Sequence, residues 1–572
     1  MTSPADPLRA IVVVPARDEE RRVASCLRAL AAQEGIDPGA YEVVLVLDHC
    51  RDATLQTALA TSAKLPHLRL TIRECHQPGA GHARRVGMDY ACQRLIAAAR
   101  PDGLIASTDA DSRVATDWLA VQLALADAGA PAIGGRIDLD ATEAATLAPS
   151  VLEDRARRAR TRLARLHQRT SGYRSRPASV DTFARVPCDH HHFSGASFAV
   201  TARTYLDVGG LPPRGALEDE ALQQALEDAG VAIHRSDRVL VTTSARTNGR
   251  ASRGLARDLA LADWRARRSF HGDQYCAESL LQHKTATVTV IVPAREVADT
   301  ISDVVACVLS LRDIALVDEL LVIDSASTDG TAAIAAAHGA TVLQEDALLR
   351  QYGPAQGKGD AMWRALSAAH GDIVVFVDAD TRNFSADFVT GLLGPLLTNP
   401  SIRLVKGAFR RPLRIDGTLV PDAGGRVTEL VARPLLNLYA PHLAGFDQPL
   451  AGEFAAYADL LRQLPFPAGY GVEIATLIDA AALLGTDALA QVNLGERHNR
   501  HQSLRELSAM SYAVMVAAMT RLQSLQHADV APSAHLVLPP APDSETQETR
   551  AVTILERPAL ESISDSVSVR VP

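Results

Sequence analysis

The sequence predicts an α/β protein built from two consecutive parallel-sheet domains, and three observations lead to that expectation. The chain has 572 residues, too many for one ordinary core and suited to roughly two to four domains. A strand motif recurs at long range, Ala10-Ile-Val-Val-Val-Pro-Ala-Arg17 returning as Val288-Thr-Val-Ile-Val-Pro-Ala-Arg295. After each copy the same order follows: a helix, a strand ending in an acid, and a later strand ending in acids.

Each motif copy is a short β-branched run stopped by proline, as expected of a buried parallel strand entering a loop. Helices are expected over Glu19–Gln33 and Val297–Leu311. The second strands are Val43–Asp48 and Glu319–Asp324, and the third are Gly103–Asp109 and Ile373–Asp378. In parallel sheets ligands bind beyond the carboxyl ends of the strands, where these acids lie. The expected boundaries are residues 1–280 for the first domain and 283–525 for the second. Asp258–Gln282 reads as a helical connector. The proline-rich, polar stretch 531–572 reads as a largely unpacked tail.

Composition narrows the function classes. A net charge of -9 is mild for this length and argues against nucleic acid as the main partner. Seven scattered cysteines without a Cys-x-x-Cys pair fit a reducing compartment. No signal peptide is expected. Apolar runs such as Ile11–Val14 fall far short of the roughly 20 residues that span a bilayer. A soluble cytoplasmic protein without a membrane span is the expectation.

The acids point to chemistry. Asp109-Ala110-Asp111 and Asp378-Ala379-Asp380 stand at the same place in a repeated strand–helix pattern. Two carboxylates one residue apart suit Mg²⁺ or Mn²⁺ on a nucleotide diphosphate, since these hard cations take carboxylate and phosphate oxygens. Alone, such a pair is more simply a turn former or helix cap; the repetition is what argues for the metal. Lys358 lies between Gly357 and Gly359, so the backbone can approach a nucleotide while the ammonium meets phosphate. Gly425-Arg426-Val427-Thr428 offers a turn, a guanidinium and a hydroxyl for a small phosphorylated acid.

Both halves resemble GT-A-fold glycosyltransferases. The resemblance implies two tandem Rossmann-like, nucleotide-diphospho-sugar transferase domains. The first half is similar to family-2 enzymes through Val14-Pro-Ala-Arg-Asp-Glu-Glu20, Thr108–Ser112, Gly195-Ala-Ser197, Leu217-Glu-Asp-Glu220 and Thr243-Ser-Ala-Arg246. The resemblance implies inverting transfer with Asp219 as the general base, Asp109 at the donor and Asp111 at the metal. Taken by themselves, Glu218–Glu220 are simply a helix start, where acids suit the dipole.

The second half resembles the glucosyl-3-phosphoglycerate synthase family. The residues that carry this are Asp324–Asp329, Gly357–Arg364, Val405-Lys406, Arg410-Arg-Pro412, Gly424–Leu436, Gln448–Glu453, Gly469–Glu473 and Leu555-Glu-Arg-Pro558. The resemblance implies retaining transfer of glucose from UDP-glucose to 3-phosphoglycerate. Pro293, Ala294, Glu296, Ser325, Lys358, Asp378 and Asp380 then hold the donor. Gly425, Arg426, Val427, Thr428 and Tyr470 hold the acceptor, and Glu473 is an active-site carboxylate. Two departures from the pattern stand out. Val297 takes the place of an acid that binds the nucleotide, with Glu296 one position earlier. Asn499 takes the place of a metal histidine, so Asp380 is paired with Asn499, His498 or His501 as the second ligand. Other donors or acceptors (a GDP sugar, mannose, glycerate) stay open. So do a non-catalytic role for one half and a homodimer or intrachain pseudo-dimer.

Overall fold

The structure, a computed structural model, describes residues 8–173, 188–215, 217–249, 254–415, 418–420, 424–498, 502–522, 535–538 and 548–563. It divides into two compact units, residues 1–263 and 264–572.

The first unit holds β1 (Ala10–Ala16), β2 (Tyr41–Asp48), β3 (Leu70–Cys75), β4 (Leu104–Ser107), β5 (Ser112–Val114), β6 (Ala132–Leu139), β7 (Phe198–Thr201) and β8 (Ile233–Thr243). They form one sheet in the order β3-β2-β1-β4-β7-β6-β8-β5. Successive side chains of a strand point to opposite faces. Val12 and Val14 thus enter one core cluster and Ile11 and Val13 the other. Helices cover both faces, which is why β1 is buried throughout instead of alternating with polar residues.

The second unit repeats this plan. Its strands are β9 (Ser269–His271), β10 (Val288–Ala294), β11 (Glu319–Asp324), β12 (Thr341–Gln344), β13 (Ile373–Phe376), β14 (Leu404–Arg410), β15 (Leu413–Ile415), β16 (Thr418–Val420), β17 (Phe454–Tyr457), β18 (Phe466–Pro467) and β19 (Leu489–Glu496). The main sheet runs β12-β11-β10-β13-β17-β14-β19-β9, and β15 with β16 makes a separate hairpin. Place for place, β13 corresponds to β4, β17 to β7 and β19 to β8.

The structure revises several expectations. Both sheets are mixed: β7 runs antiparallel to β4 and β6, and β17 antiparallel to β13 and β14. The third strands stop early, at Ser107 and Phe376, so both Asp-x-Asp motifs lie in the loop beyond the sheet. The first helices are shorter, Val23–Ala31 and Ile301–Asp313, because the residues before them form the loop after the first strand. The boundary falls near residue 263 instead of 280, since Ser269–His271 pairs with β19 as an edge strand. The tail is not wholly unpacked. Glu556–Arg557 pairs with β18, and Arg557 is buried. No helix among the described residues is long and apolar enough to cross a membrane.

Candidate active site

In the second unit, β10, β11 and β13 deliver their C-terminal loops to one cleft of about 1180 Å³. Every donor and acceptor residue expected in this half lines it: Pro293, Ala294, Glu296, Ser325, Lys358, Asp378, Asp380, Gly425, Arg426, Val427, Thr428 and Tyr470, with Glu473.

Lys358 opens the helix Lys358–Leu366, directly after Gly357 at φ 125°. That backbone region is costly for any residue but glycine. Gly359 is needed for a different reason: a Cβ there would lie 1.9 Å from the Pro467 carbonyl oxygen. The glycines therefore allow the lysine to enter the cleft floor at the positive end of a helix, a setting that favours anions. Its Nζ lies 2.5 Å from Asp378 and 3.1 Å from Glu473. Burial alone would lower the lysine's pKa, but those two carboxylates raise it above its ordinary value.

Arg497, immediately after β19, is the second cation. Its Nη2 lies 2.8 Å from Asp378 and 2.9 Å from Asp380, and its Nε 2.9 Å from Glu453. Burial would raise Asp378, yet Lys358 and Arg497 hold it well below the usual carboxylate range. Beneath this array, fully buried Lys406 donates to the Ala451 carbonyl at 2.7 Å. Burial pushes its ammonium down to about 8.

On the nucleotide side, the Val297 amide donates to Thr331 Oγ1 at 2.9 Å and its side chain is buried. Glu296, in the left-handed region at φ 53°, accepts from the Thr328 amide at 2.7 Å. Ser325 donates to Glu345. On the acceptor side, Gly425 has φ 68° and Arg426 donates to the Gln502 carbonyl at 2.6 Å. His498 turns its ring toward Glu496, at 3.5 Å. Asn499 and His501 lie outside the described residues.

The first unit shows the same geometry with exchanged parts. Gly79 has φ 123° and precedes the helix Ala80–Ala97, so Ala80 stands where the second unit has Lys358. The charge comes instead from Arg84, one turn further on. Its Nη2 lies 2.8 Å from Asp109 and its Nε 2.9 Å from Glu218, and it also donates to Ser107 and the Gly195 carbonyl. Arg246, just beyond β8, reaches Asp111 at 2.9 Å and also pairs with Glu19. Burial, with Asp109 next to it, raises Asp111 above the usual carboxylate range. Asp219 accepts from the Gly195 amide at 2.9 Å, and its other oxygen from the Glu220 amide.

Sequence reading did not assign Arg497, Glu453, Lys406 or Arg84 to the sites. Lys406 and Glu453 stand inside runs that carry the resemblance, but nothing in any of the four names its partners, and only the fold brings each to the acids. Arg246 was visible inside Thr243-Ser-Ala-Arg246, but without its partners.

Two βαβ-rich units, each with a paired-acid loop beyond the sheet and a fixed cation against it, define a nucleotide-sugar glycosyltransferase. Residues 7–257 match the model described as glycosyltransferase like family 2, and residues 289–405 the model described as glycosyl transferase family 2. The glucosyl-3-phosphoglycerate synthase of Mycolicibacterium paratuberculosis is 42% identical over 328 residues, 56% of this chain and 99% of that protein. That of Petrotoga mobilis is 40% identical, across 44% of this chain and 78% of its own length. Among solved structures, a mannosyl-3-phosphoglycerate synthase from Rubrobacter xylanophilus is 42% identical, with a TM-score of 0.49 over 53% of this chain and 99% of that one. The Mycobacterium tuberculosis glucosyl-3-phosphoglycerate synthase, crystallised with Mn²⁺, UDP-glucose and phosphoglyceric acid, is 42% identical, with a TM-score of 0.45 over 50% of this chain and 95% of that one. The chain belongs to the glucosyl-3-phosphoglycerate synthase family.

Proposed function

We propose that the second unit transfers glucose from UDP-glucose to 3-phosphoglycerate with retention, and that the first unit is a second, inverting sugar transferase. The observation that carries the first reading is the single cleft in which the expected donor residues, the Gly425–Thr428 turn and Glu473 converge.

A divalent cation fits the donor set. Asp380 spends one oxygen on Arg497 and remains 43% exposed at the cleft wall, a hard oxygen donor of the kind Mg²⁺ and Mn²⁺ take. Asp380 would hold the ion, with Asn499, His498 or His501 as the second protein ligand. When bound, the ion supplies positive charge against the departing diphosphate.

The chain's own residues do the rest. Lys358 presents its ammonium to the diphosphate from a helix start. Arg497 fixes both aspartates of the motif, so their orientation is set before substrate arrives. Glu473 gives one oxygen to Lys358, which suits it to orient the donor sugar or acceptor, not to act as a free nucleophile. Arg426 and Thr428 offer charge and hydroxyl to the acceptor's phosphate and carboxylate. In the first unit Asp219, held by the Gly195 amide, is the base that would deprotonate an acceptor hydroxyl.

A second donor reading follows from the nucleotide pocket. Valine at position 297 removes a carboxylate, and Glu296 is occupied by Thr328. Without that acid the loop selects the uracil base less strictly, which keeps a GDP sugar as the alternative donor. The test supplies the full chain with UDP- and GDP-sugars and 3-phosphoglycerate or glycerate, and identifies products by mass spectrometry. Asp378→Ala with Asp380→Ala should abolish glucosyl-3-phosphoglycerate. Abolition by Asp109→Ala with Asp111→Ala instead would reverse the assignment of the two halves.

A further inference from the structure

The C-terminal segment returns to the second unit's cleft. Val552 and Thr553 line it beside Gly469, Tyr470 and Glu473. The Thr553 carbonyl oxygen would lie 3.1 Å from a Cβ added at Gly469, so the two backbones are in close contact. The Ala468 amide donates to the Leu555 carbonyl at 2.9 Å, and Phe466 pairs with Arg557. Trp363 donates to the Pro558 carbonyl at 2.8 Å.

Arg557 ties this segment to the catalytic floor. Its Nε donates to Asp360 Oδ1 at 2.8 Å and its Nη2 to Oδ2 at 3.0 Å, a two-point fork. It also donates to the carbonyls of Tyr352 and Pro354. Asp360 is fully buried and lies two residues after Lys358. The same Asp360 oxygen accepts from the Gln356 amide at 3.0 Å, and the Asp360 amide donates to the Ala468 carbonyl at 2.9 Å. Asp360 thus joins the loop before Lys358 and the C-terminal segment through its carboxylate, and through its amide the strand leading to Gly469-Tyr-Gly471 and Glu473. Arg364 Nε is a further cation, 3.2 Å from Asp360.

We infer that Arg557 is a positioning residue for donor binding: through Asp360 it sets the Lys358 ammonium where a nucleotide diphosphate lies. This rests on the reading of the second unit as a UDP-sugar transferase. Because Asp360 keeps Arg364 and the backbone pairing of β18 with Glu556–Arg557 does not use the guanidinium, removing that group displaces the loop without removing the helix. The uridine side of the cleft, formed by β10 and β11, makes none of the Arg557 contacts described above. The structure therefore separates the two parts of the donor. Phosphate affinity depends on Arg557, and nucleoside affinity does not.

The experiment is calorimetric titration of the full chain, with Mn²⁺ present, using UDP and uridine as separate probes. Arg557→Gln should weaken UDP at least tenfold, and Arg557→Lys, which keeps the charge but not the fork, at least threefold. Uridine should bind all folded variants within twofold of wild type. Thermal melting checks folding, and if the glutamine variant does not fold, the lysine variant decides. UDP affinity within threefold of wild type in the folded variants overturns the inference. A parallel loss of uridine affinity also overturns it, since that marks a general structural role. A wild-type chain that binds neither probe refutes instead the underlying assignment of a uridine-nucleotide donor.

Discussion

Lys406→Met should change the pH dependence of stability in a direction fixed by burial. The ammonium is fully buried and its pKa falls from 10.5 to about 8. At about 1.36 kcal/mol per unit, this differential cost of the charged form is about 3 kcal/mol. The sign follows from proton binding. Between pH 8 and 10.5 the unfolded chain holds the proton and the folded one has released it. Wild-type stability should therefore rise with pH in that window, relative to a variant that cannot titrate. Below pH 8 both states are protonated and the difference is flat. Urea unfolding at several pH values from about 7 to 10 gives the variant-minus-wild-type free energy. That difference should move by about 2 kcal/mol toward wild type between pH 8 and 9.5. The lost bond to the Ala451 carbonyl shifts the whole curve by a constant, about 1–3 kcal/mol, and leaves its slope intact. Parallel curves across the window would refute the reasoning.

Three further outcomes are expected. Arg497→Met leaves Asp378, Asp380 and Glu453 without their shared partner and should lower glucosyl transfer ~100-fold or more, read by product formation under saturating donor. Gly359→Ala drives a Cβ into the Pro467 carbonyl and should cost ~1–3 kcal/mol in the melting of the second unit, with weaker UDP binding. Chelation of divalent metal should stop transfer, and added Mn²⁺ should restore it without changing the melting profile by more than ligand binding explains.

How much was legible depends on whether a residue's role is local. Asp378, Asp380 and Lys358 could be read because their neighbours, an apolar strand or a pair of glycines, carry the geometry. The Gly425–Thr428 turn was legible for the same reason. Arg557 and Asp360 are 197 positions apart, and no periodicity signals such a pair. Arg497 becomes a site residue only because β19 lies beside β14 in the sheet. Strand direction was also hidden. Phe454-Ala-Ala-Tyr457 has the short apolar look of any buried strand, and nothing in it states that it runs against β13. The overstated helices have a simple cause. The helical periodicity of 297–311 extends back into residues whose amides the structure uses to build the loop after β10.

The repeat also relates two residues that the sequence presented as different. Glu473 is the second residue of the helix Val472–Leu484 that precedes β19, and Glu218 is the first of the helix Glu218–Asp228 that precedes β8. Each carboxylate meets the cation that also holds the first aspartate of its motif, Lys358 in one unit and Arg84 in the other. The cations are not equivalent to a donor. Lys358 borders the cleft, and two carboxylates leave one of its three N–H bonds to give. Arg84 is 3% exposed and makes bonds to Glu218, Ser107, Gly195 and Asp109, so its charge is spent inside the protein. A diphosphate entering the first unit therefore cannot find its counter-charge at that position. On the proposed reading, that charge would come from an ion at Asp109 and Asp111 or from the rim of the site. Glu218 is committed to Arg84, and Asp219, the base proposed above, lies one residue on. The same fold position thus carries a cleft-lining lysine in one unit and gives way to a fully engaged, buried arginine one turn on in the other. This difference is the physical support for the proposal that the two halves catalyse different reactions.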